Sequence, residues 1–213
     1  MSVDATGEKI LVTAALPYAN GPLHLGHLAG AYIPADVYVR YQRQKGADVL
    51  FICGSDEHGV PITIRADREG VTPQEIVDRY HAVMADSFRR MAIHFDNYSR
   101  TSLPLHHRIS QEFFLNLHRK GFIREEMVRQ FYCAPCRRFL PDRYIEGECP
   151  LCHEAGARGD QCEACGRWLE PELLIAPKCK VCGASPELRS TRHWYFALSR
   201  FQESLERWQA SKP

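Results

Sequence analysis

Eight of the nine cysteines in this chain form four Cys-x-x-Cys pairs within one short stretch, and no other feature constrains the fold as strongly. A disulfide framework is typical of secreted proteins, whereas closely paired cysteines in a reducing compartment are typical of metal sites. The stretch is rich in Gly and Pro and has few long apolar runs, so we expect it to need metal to build a core. The pairs are Cys133/Cys136, Cys149/Cys152, Cys162/Cys165 and Cys179/Cys182.

These eight cysteines suffice for two four-thiolate sites, the ligand set that structural zinc prefers. Because four thiolates fill a tetrahedral shell, the sequence predicts two structural zinc ions with no open position for catalysis. A redox role for one pair is disfavoured by the presence of four. Spacing alone leaves three ways to couple the pairs: adjacent, crossed or nested. His153 is expected to be a bystander beside Cys152, and Cys53, in the apolar run VLFIC, to be a buried strand residue.

The charge balance restricts the partners of the chain. Its 213 residues carry 27 Lys and Arg against 26 Asp and Glu, a formal net charge of +1. This excludes the bulk basic surface that dominates non-specific nucleic-acid binding, so any RNA contact must be local. No run approaches the roughly 20 apolar residues of a membrane span, and residues 1–9 lack the apolar core of a signal peptide. We expect a cytoplasmic protein with no membrane partner.

The first third of the chain has the order strand, helix, strand. An apolar run at residues 10–16 and a second at residues 49–53 predict buried strands. Between them, the sequence after Pro22 predicts a helix. Pro34 is expected to start a second helical segment and Gly46 to end it. This order predicts the βαβ unit of a parallel sheet. Further helices are predicted at residues 72–91 and 104–120, and a helix-like segment at residues 193–208.

The segment His24-Leu25-Gly26-His27 follows the first predicted strand and opens the helix. Histidines three apart at a helix start share a face, where free N–H groups and the helix dipole favour a phosphate. Gly26 has no side chain, which leaves space where a flat ring could lie against the helix. Positioned imidazoles would stabilise charge on phosphate oxygens during group transfer. Two ordinary surface histidines are the alternative, and the strand–loop–helix context favours the functional interpretation.

A second candidate site, GSDEHG at residues 54–59, follows the second predicted strand. Open α/β sheets bind ligands at the carboxyl ends of their strands. Asp56 and Glu57 are either ordinary turn carboxylates or ligands, and a partly desolvated carboxylate is a natural partner for an ammonium group.

The strings PYANGPLHLGH and GSDEHG together resemble the methionyl-tRNA synthetase family of class I synthetases. The resemblance implies an α/β fold, the N-terminal half of a Rossmann-type class I catalytic domain with an inserted small zinc-binding domain. It implies catalysis by His24 and His27. It assigns methionine binding to Ala15, Leu16, Tyr18 and Asp56. It assigns ATP binding to Asn20, Gly21, His24, Gly26 and His27.

The same resemblance favours nested zinc sites and a division of the chain. One site would hold Cys149, Cys152, Cys162 and Cys165, and the other Cys133, Cys136, Cys179 and Cys182. The implied domains are residues 1–127 for the first catalytic half, 128–190 for the zinc-bearing insertion, and 191–213 for a segment leading to a second catalytic half.

The implied function is ATP-dependent activation of methionine, with magnesium, and its transfer to tRNA(Met). The family's Lys-Met-Ser-Lys-Ser loop and anticodon-binding domain do not occur in these residues. We therefore expect a fragment that is inactive alone, with a separately encoded C-terminal half as one candidate partner. Leucyl, valyl and isoleucyl enzymes are alternatives, disfavoured because their insertions are larger. The alternative of another class is a non-catalytic, zinc-bearing RNA-binding module.

Overall fold

The computed structural model describes residue 7 and residues 9–212. Most of residues 1–9, where the sequence predicts no signal peptide, therefore lies outside the described residues. The chain divides into two compact units, Met1–Gln111 and Glu112–Pro213. The predicted domains 1–127, 128–190 and 191–213 stay a prediction. No helix among the described residues combines the length and the apolar composition that crossing a membrane requires.

The first unit is built on a parallel three-stranded sheet of order β1-β2-β3, which contains the predicted βαβ unit. Its strands are β1 (Lys9–Thr13), β2 (Asp48–Ser55) and β3 (Asn97–Arg100). The third strand was missed because its sequence, NYSR, is short and polar and shows no apolar run. The first strand ends three residues before the predicted Leu16, because the backbone leaves the ladder after Ala14 donates to Ile52 O at 3.2 Å.

The helices of this unit follow their sequence signals closely. Thr72 forms the predicted capping box with Glu75, Pro34 lies in the first turn of its helix, and Gly46 follows the same helix with a φ of +86°. Helix α3 was not predicted. The helices wholly within this unit are α1 (Leu25–His27), α2 (Ile33–Gln44), α3 (Val60–Glu69) and α4 (Pro73–Arg90), with a π-helical turn at Leu28–Tyr32 between α1 and α2. Helix α5 (Pro104–Arg119) begins in this unit and ends in the second.

The core of the first unit lies on one side of the sheet. Val49, Phe51 and Cys53 alternate along β2 and are buried with the helices, which confirms the placing of Cys53 in the core. The residues between them face the other way, and Leu50 is 51% exposed, as Leu11 of β1 is 62% exposed. Among the described residues, the two predicted buried strands are therefore buried on one face only, because the core covers one face of the sheet.

The second unit contains two small antiparallel sheets, of order β5-β4-β9 and β7-β6-β8. The predicted helix-like character of residues 193–208 is wrong for residues 193–196, which form the end of a long strand. The whole strand, Glu187–Phe196, pairs with Ile123–Tyr132 over ten residue pairs, and such long-range pairing outweighs local preference. The elements are β4 (Ile123–Cys133), β5 (Arg138–Phe139), β6 (Ile145–Glu148), β7 (Ala157–Arg158), β8 (Ile175–Cys179), β9 (Glu187–Phe196) and α6 (Gln202–Ala210).

Candidate functional site

Two loops meet at the carboxyl edge of the parallel sheet and bring predicted site residues together. The Asp56 N–H donates to Pro17 O at 2.8 Å, and the Ala19 N–H donates to Asp56 O at 2.8 Å. Tyr18 and Asp56 are thereby held opposite each other in an isolated parallel bridge. The backbone of Asp56 is fixed on the side of the Pro17–Ala19 loop, while its side chain remains partly exposed.

Tyr18 requires a glycine in the neighbouring loop. Its hydroxyl donates to the carbonyl oxygen of His58, and Gly59 follows with a φ of +124°. A Cβ at Gly59 would lie 1.9 Å from the Tyr18 hydroxyl oxygen, so no larger residue fits without displacing the tyrosine. Glycine also tolerates this backbone conformation at no steric cost. Gly59 therefore fixes the position of the tyrosine ring against the Asp56 loop.

His24 and His27 cap the start of the helix reciprocally. Each backbone N–H donates to the other residue's ring Nδ1 at 3.3 Å, and the two rings stack with centroids 3.6 Å apart. Since both Nδ1 atoms accept, a neutral ring must carry its proton on Nε2. Partial burial and the neighbouring His24 lower the pKa of His27, which favours the neutral form. The two rings thus present Nε2–H donors at a helix start, where phosphate is favoured.

Neighbouring contacts hold the loop before this helix. The Tyr32 hydroxyl donates to Ala15 O at 2.9 Å, and Arg65 Nη1 donates to Asn20 O at 2.6 Å. A Cβ at Gly26 would lie 3.0 Å from His24 Cε1, so the ring that occupies the space over Gly26 is that of His24. A Cβ at Gly21 would meet the Arg65 guanidinium at an ordinary contact distance of 3.9 Å.

A cleft of about 210 Å³ lies beside these loops, and its lining is mainly apolar. Of the predicted methionine-site residues, Leu16 lines it directly. Such a lining suits an uncharged, apolar group. The β3 side of this cleft was not predicted, because the short, polar β3 was itself missed. The other lining residues are Thr13, Ala14, Ile52, Cys53, Gly54, Ser99, Arg100, Thr101 and His106.

Glu57 is buried, unlike the ordinary turn carboxylate that was its alternative. Burial would raise its pKa, but hydrogen bonds from Arg100, Ser102 and Ser55 outweigh burial and hold the pKa below its usual value. Burial and the Arg100 charge lower the pKa of the adjacent His81, which favours the neutral form of that ring. Sequence reasoning missed Arg100, Ser102 and His81, since nothing local marks them as partners of Glu57.

The eight paired cysteines come together in two groups of four. One contains Cys133, Cys136, Cys179 and Cys182, and the other contains Cys149, Cys152, Cys162 and Cys165. Within each group the sulfur atoms lie within 4.8 Å of one another. This is the nested arrangement, because the second group lies in sequence between the two pairs of the first.

The geometry and chemistry of both groups fit zinc. A tetrahedral site with Zn–S bonds of about 2.3 Å separates its sulfurs by about 3.8 Å. In the group of Cys133, two sulfur pairs are 3.4 and 3.9 Å apart, and in the group of Cys149, two are 4.0 and 3.6 Å apart. His153 is not among the grouped residues; its Nδ1 lies 2.6 Å from Glu148 Oε1.

One thiol in each group has a lowered pKa. The Ala184 N–H, together with the thiols of Cys133 and Cys136, lowers the pKa of the Cys182 thiol to about 7. Burial would raise the pKa of the Cys149 thiol, but the N–H groups of Cys152 and Leu151, together with the thiols of Cys152 and Cys162, outweigh burial and bring the pKa to about 7. The pKa values of three other thiols are raised, those of Cys133, Cys136 and Cys152. Without a cation, therefore, one thiol in each group ionises most readily, and thiolates are the form that binds zinc.

We predict that Cys149→Ser and Cys179→Ser each remove one zinc equivalent, and that the double variant removes both. The reason is that the two residues belong to different groups. Elemental analysis of purified protein is the measurement. A crossed arrangement would place the two residues in one site, so that the double variant would lose a single ion. Combining Cys133→Ser with Cys149→Ser distinguishes nesting from the adjacent arrangement, in which these two would share one site.

Comparison with known proteins identifies close relatives. A family model described as tRNA synthetases class I (M) matches residues 10–213. Methionine--tRNA ligase of Chlorobium limicola is 58% identical over 203 residues, covering 95% of this chain and 29% of the relative. Methionine--tRNA ligase of Bacteroides fragilis is 55% identical over 201 residues, covering 94% of this chain and 30% of the relative. The chain thus spans about three-tenths of the length of these curated relatives.

Two solved structures share the fold. Methionyl-tRNA synthetase of Mycobacterium tuberculosis, in complex with methionyl-adenylate, superposes with a TM-score of 0.65 at 22% identity, covering 95% of this chain and 35% of that one. A LeuRS from Agrobacterium radiobacter superposes with a TM-score of 0.64 at 22% identity, covering 96% and 22%. These likenesses confirm the predicted fold class.

Proposed function

The chain belongs to the tRNA synthetases class I (M), and from this membership we propose that it forms the methionine- and ATP-binding part of a methionine–tRNA ligase. In the first step of this reaction, the methionine carboxylate attacks the α-phosphorus of ATP. Methionyl-adenylate forms and pyrophosphate leaves. In the second step, the methionyl group passes to the terminal adenosine of tRNA(Met), and AMP leaves.

The reciprocal capping of His24 and His27 is the observation that carries this proposal. It leaves two Nε2–H donors fixed at a helix start, where they would bind phosphate oxygens of ATP. Charge grows on these oxygens as the α-phosphorus is attacked, so donors already in place stabilise the transition state. Magnesium bound to ATP would share this role, and the backbone of Asn20, Gly21 and Gly26 would lie along the nucleotide.

Methionine would lie at the adjoining loops. Asp56 would bind its ammonium group, with Ala15, Leu16 and Tyr18 around it, and the apolar cleft would take an uncharged side chain. The held backbone of Asp56 supports this role, because only the side chain then loses freedom when the ligand binds.

The two four-cysteine groups would each hold one structural zinc ion, as their sulfur spacing supports. The chain is about three-tenths of its relatives' length, so other residues of the site would come from elsewhere. They would belong to the same polypeptide or to a separately encoded C-terminal half. Cytoplasmic location is part of the proposal, as translation uses tRNA there.

Amino-acid-dependent exchange of pyrophosphate into ATP tests the function in the protein that contains this chain. We expect exchange with methionine, and rates at least roughly 10-fold lower with leucine, isoleucine and valine. Equal or greater exchange with one of the other three would identify a different class I synthetase. Binding of tRNA with no exchange for any amino acid would favour the non-catalytic RNA-binding module instead.

A further inference from the structure

Two histidine rings meet beside the loop that carries Asp56, and neither ring has a part in the proposed function. His58 follows Asp56 by two residues, and His107 lies near the start of α5. Their Nε2 atoms are 3.2 Å apart, and their ring centroids are 5.2 Å apart. Both residues are exposed and belong to the first unit, so ions in the solvent can reach the pair.

A backbone oxygen lies at the same place as the two rings. The carbonyl oxygen of Thr101 is 3.2 Å from His58 Nε2, the atom that also faces His107. Thr101 is buried, and its N–H donates to Ser55 O at 3.2 Å, which ties it to the end of β2. Two ring nitrogens and one carbonyl oxygen, all able to bind a cation through lone pairs, therefore meet around His58 Nε2.

A single hydrogen satisfies the two contacts of His58 Nε2 incompletely. A neutral imidazole has one N–H and one nitrogen lone pair. If His58 Nε2 carries the hydrogen, that hydrogen is shared between Thr101 O and His107 Nε2. If His58 Nε2 instead accepts from His107, its lone pair faces the lone pairs of Thr101 O. A cation bound by all three atoms removes this conflict.

We propose that His58 and His107 form a site for a divalent transition-metal ion, with the Thr101 carbonyl oxygen as a third ligand. Imidazole suits zinc, nickel and copper, whereas magnesium and calcium prefer oxygen. Two nitrogens at about 2.0–2.1 Å from a tetrahedral zinc ion are about 3.3–3.4 Å apart, close to the observed 3.2 Å. Water would complete the shell. This site is distinct from the two four-cysteine groups, which lie in the second unit.

An ion at this site would join the loop after β2 to the start of α5. The carbonyl oxygen of His58 accepts the hydrogen bond of the Tyr18 hydroxyl, so the ion would hold the loop that fixes the tyrosine ring. Because such an ion binds the folded form, it stabilises that form as its concentration rises. Metal binding here needs neither methionine nor ATP, so failure of the proposed function would leave the site intact.

Calorimetric titration with Ni²⁺ tests the site in the protein that contains this chain, with its cysteine groups first saturated with zinc. His58→Gln and His107→Gln should each weaken Ni²⁺ binding roughly 10-fold or more, since losing a ligand costs at least as much as losing a group that orients one. His106→Gln is the matched control. Adjacent helix residues do not face each other, and His106 lines the apolar cleft, so its replacement should leave the affinity unchanged. Excess Mg²⁺ should not displace Ni²⁺.

Chemical modification of the wild-type protein locates the ion without any substitution. Diethylpyrocarbonate modifies accessible imidazoles, and mass spectrometry identifies the modified residues. Bound Ni²⁺ should protect His58 and His107 together and leave His106 reactive. Protection confined to other histidines, such as His24 and His27, would overturn the proposal. Equal Ni²⁺ affinities of wild type, His58→Gln and His107→Gln would overturn it as well. If either variant fails to fold, the protection pattern of the wild-type protein decides.

Discussion

Removal of zinc is expected to unfold residues 142–182 while the parallel sheet β1-β2-β3 remains folded. Structural zinc contributes about 10–16 kcal/mol of binding free energy per site in small metal-dependent folds, which is comparable to a typical domain's whole stability of about 5–15 kcal/mol. The strands in this region have two to five residues each, and short strands without a substantial core are not stable in water. Apart from cysteines, its buried apolar side chains are few: Tyr144, Ile145, Ala157, Leu169 and Leu174.

Hydrogen exchange detected by mass spectrometry measures this effect. After chelation under reducing conditions, amides of residues 142–182 should exchange at nearly the rate of an unfolded chain, and amides of residues 48–55 should keep their protection. Restored zinc, but not magnesium, should restore protection, since magnesium prefers oxygen ligands. Protection of residues 142–182 in protein shown by elemental analysis to hold no zinc would contradict the prediction.

Replacement of Asp56 by alanine should weaken the use of methionine by about 3 kcal/mol or more, which is roughly 100-fold or more in the KM for methionine. The cause is an ammonium group that enters a partly desolvated site and finds no carboxylate. ATP use should change far less, because the proposed phosphate donors belong to His24 and His27. Methionine-dependent pyrophosphate exchange, with each substrate varied in turn, gives both values.

Two further variants sharpen the Asp56 experiment. Asp56→Asn keeps the size of the side chain and its capacity to accept a hydrogen bond, so its effect isolates the charge. Asp86→Ala removes an exposed carboxylate from α4 and should leave both KM values unchanged. Wild-type methionine KM in Asp56→Ala would exclude the ammonium-binding role.

Local signals in the sequence determined much of the architecture. The capping box of Thr72 and Glu75, the first-turn Pro34 and the terminal Gly46 act through neighbouring backbone, so reading a few residues was enough to place these helix ends. The two apolar runs flanking a helix fixed the parallel pair, because a crossover helix permits little else. The histidine signature and the cysteine pairs were visible for the same reason: their partners lie within three residues.

Tertiary structure decided what depends on distant partners. The choice among adjacent, crossed and nested cysteine groups required chain segments up to 49 residues apart to meet, as Cys133 and Cys182 do. Residues 193–196 became strand because β4 pairs with them, and β3 became strand because β2 does. Residue chemistry alone did not distinguish Asp56 from Glu57, and only the family resemblance assigned a role to Asp56. Only the arrival of Arg100, 43 positions away, made Glu57 a buried anchor and left Asp56 accessible, since the free energy of a buried charge is set by its partners in space.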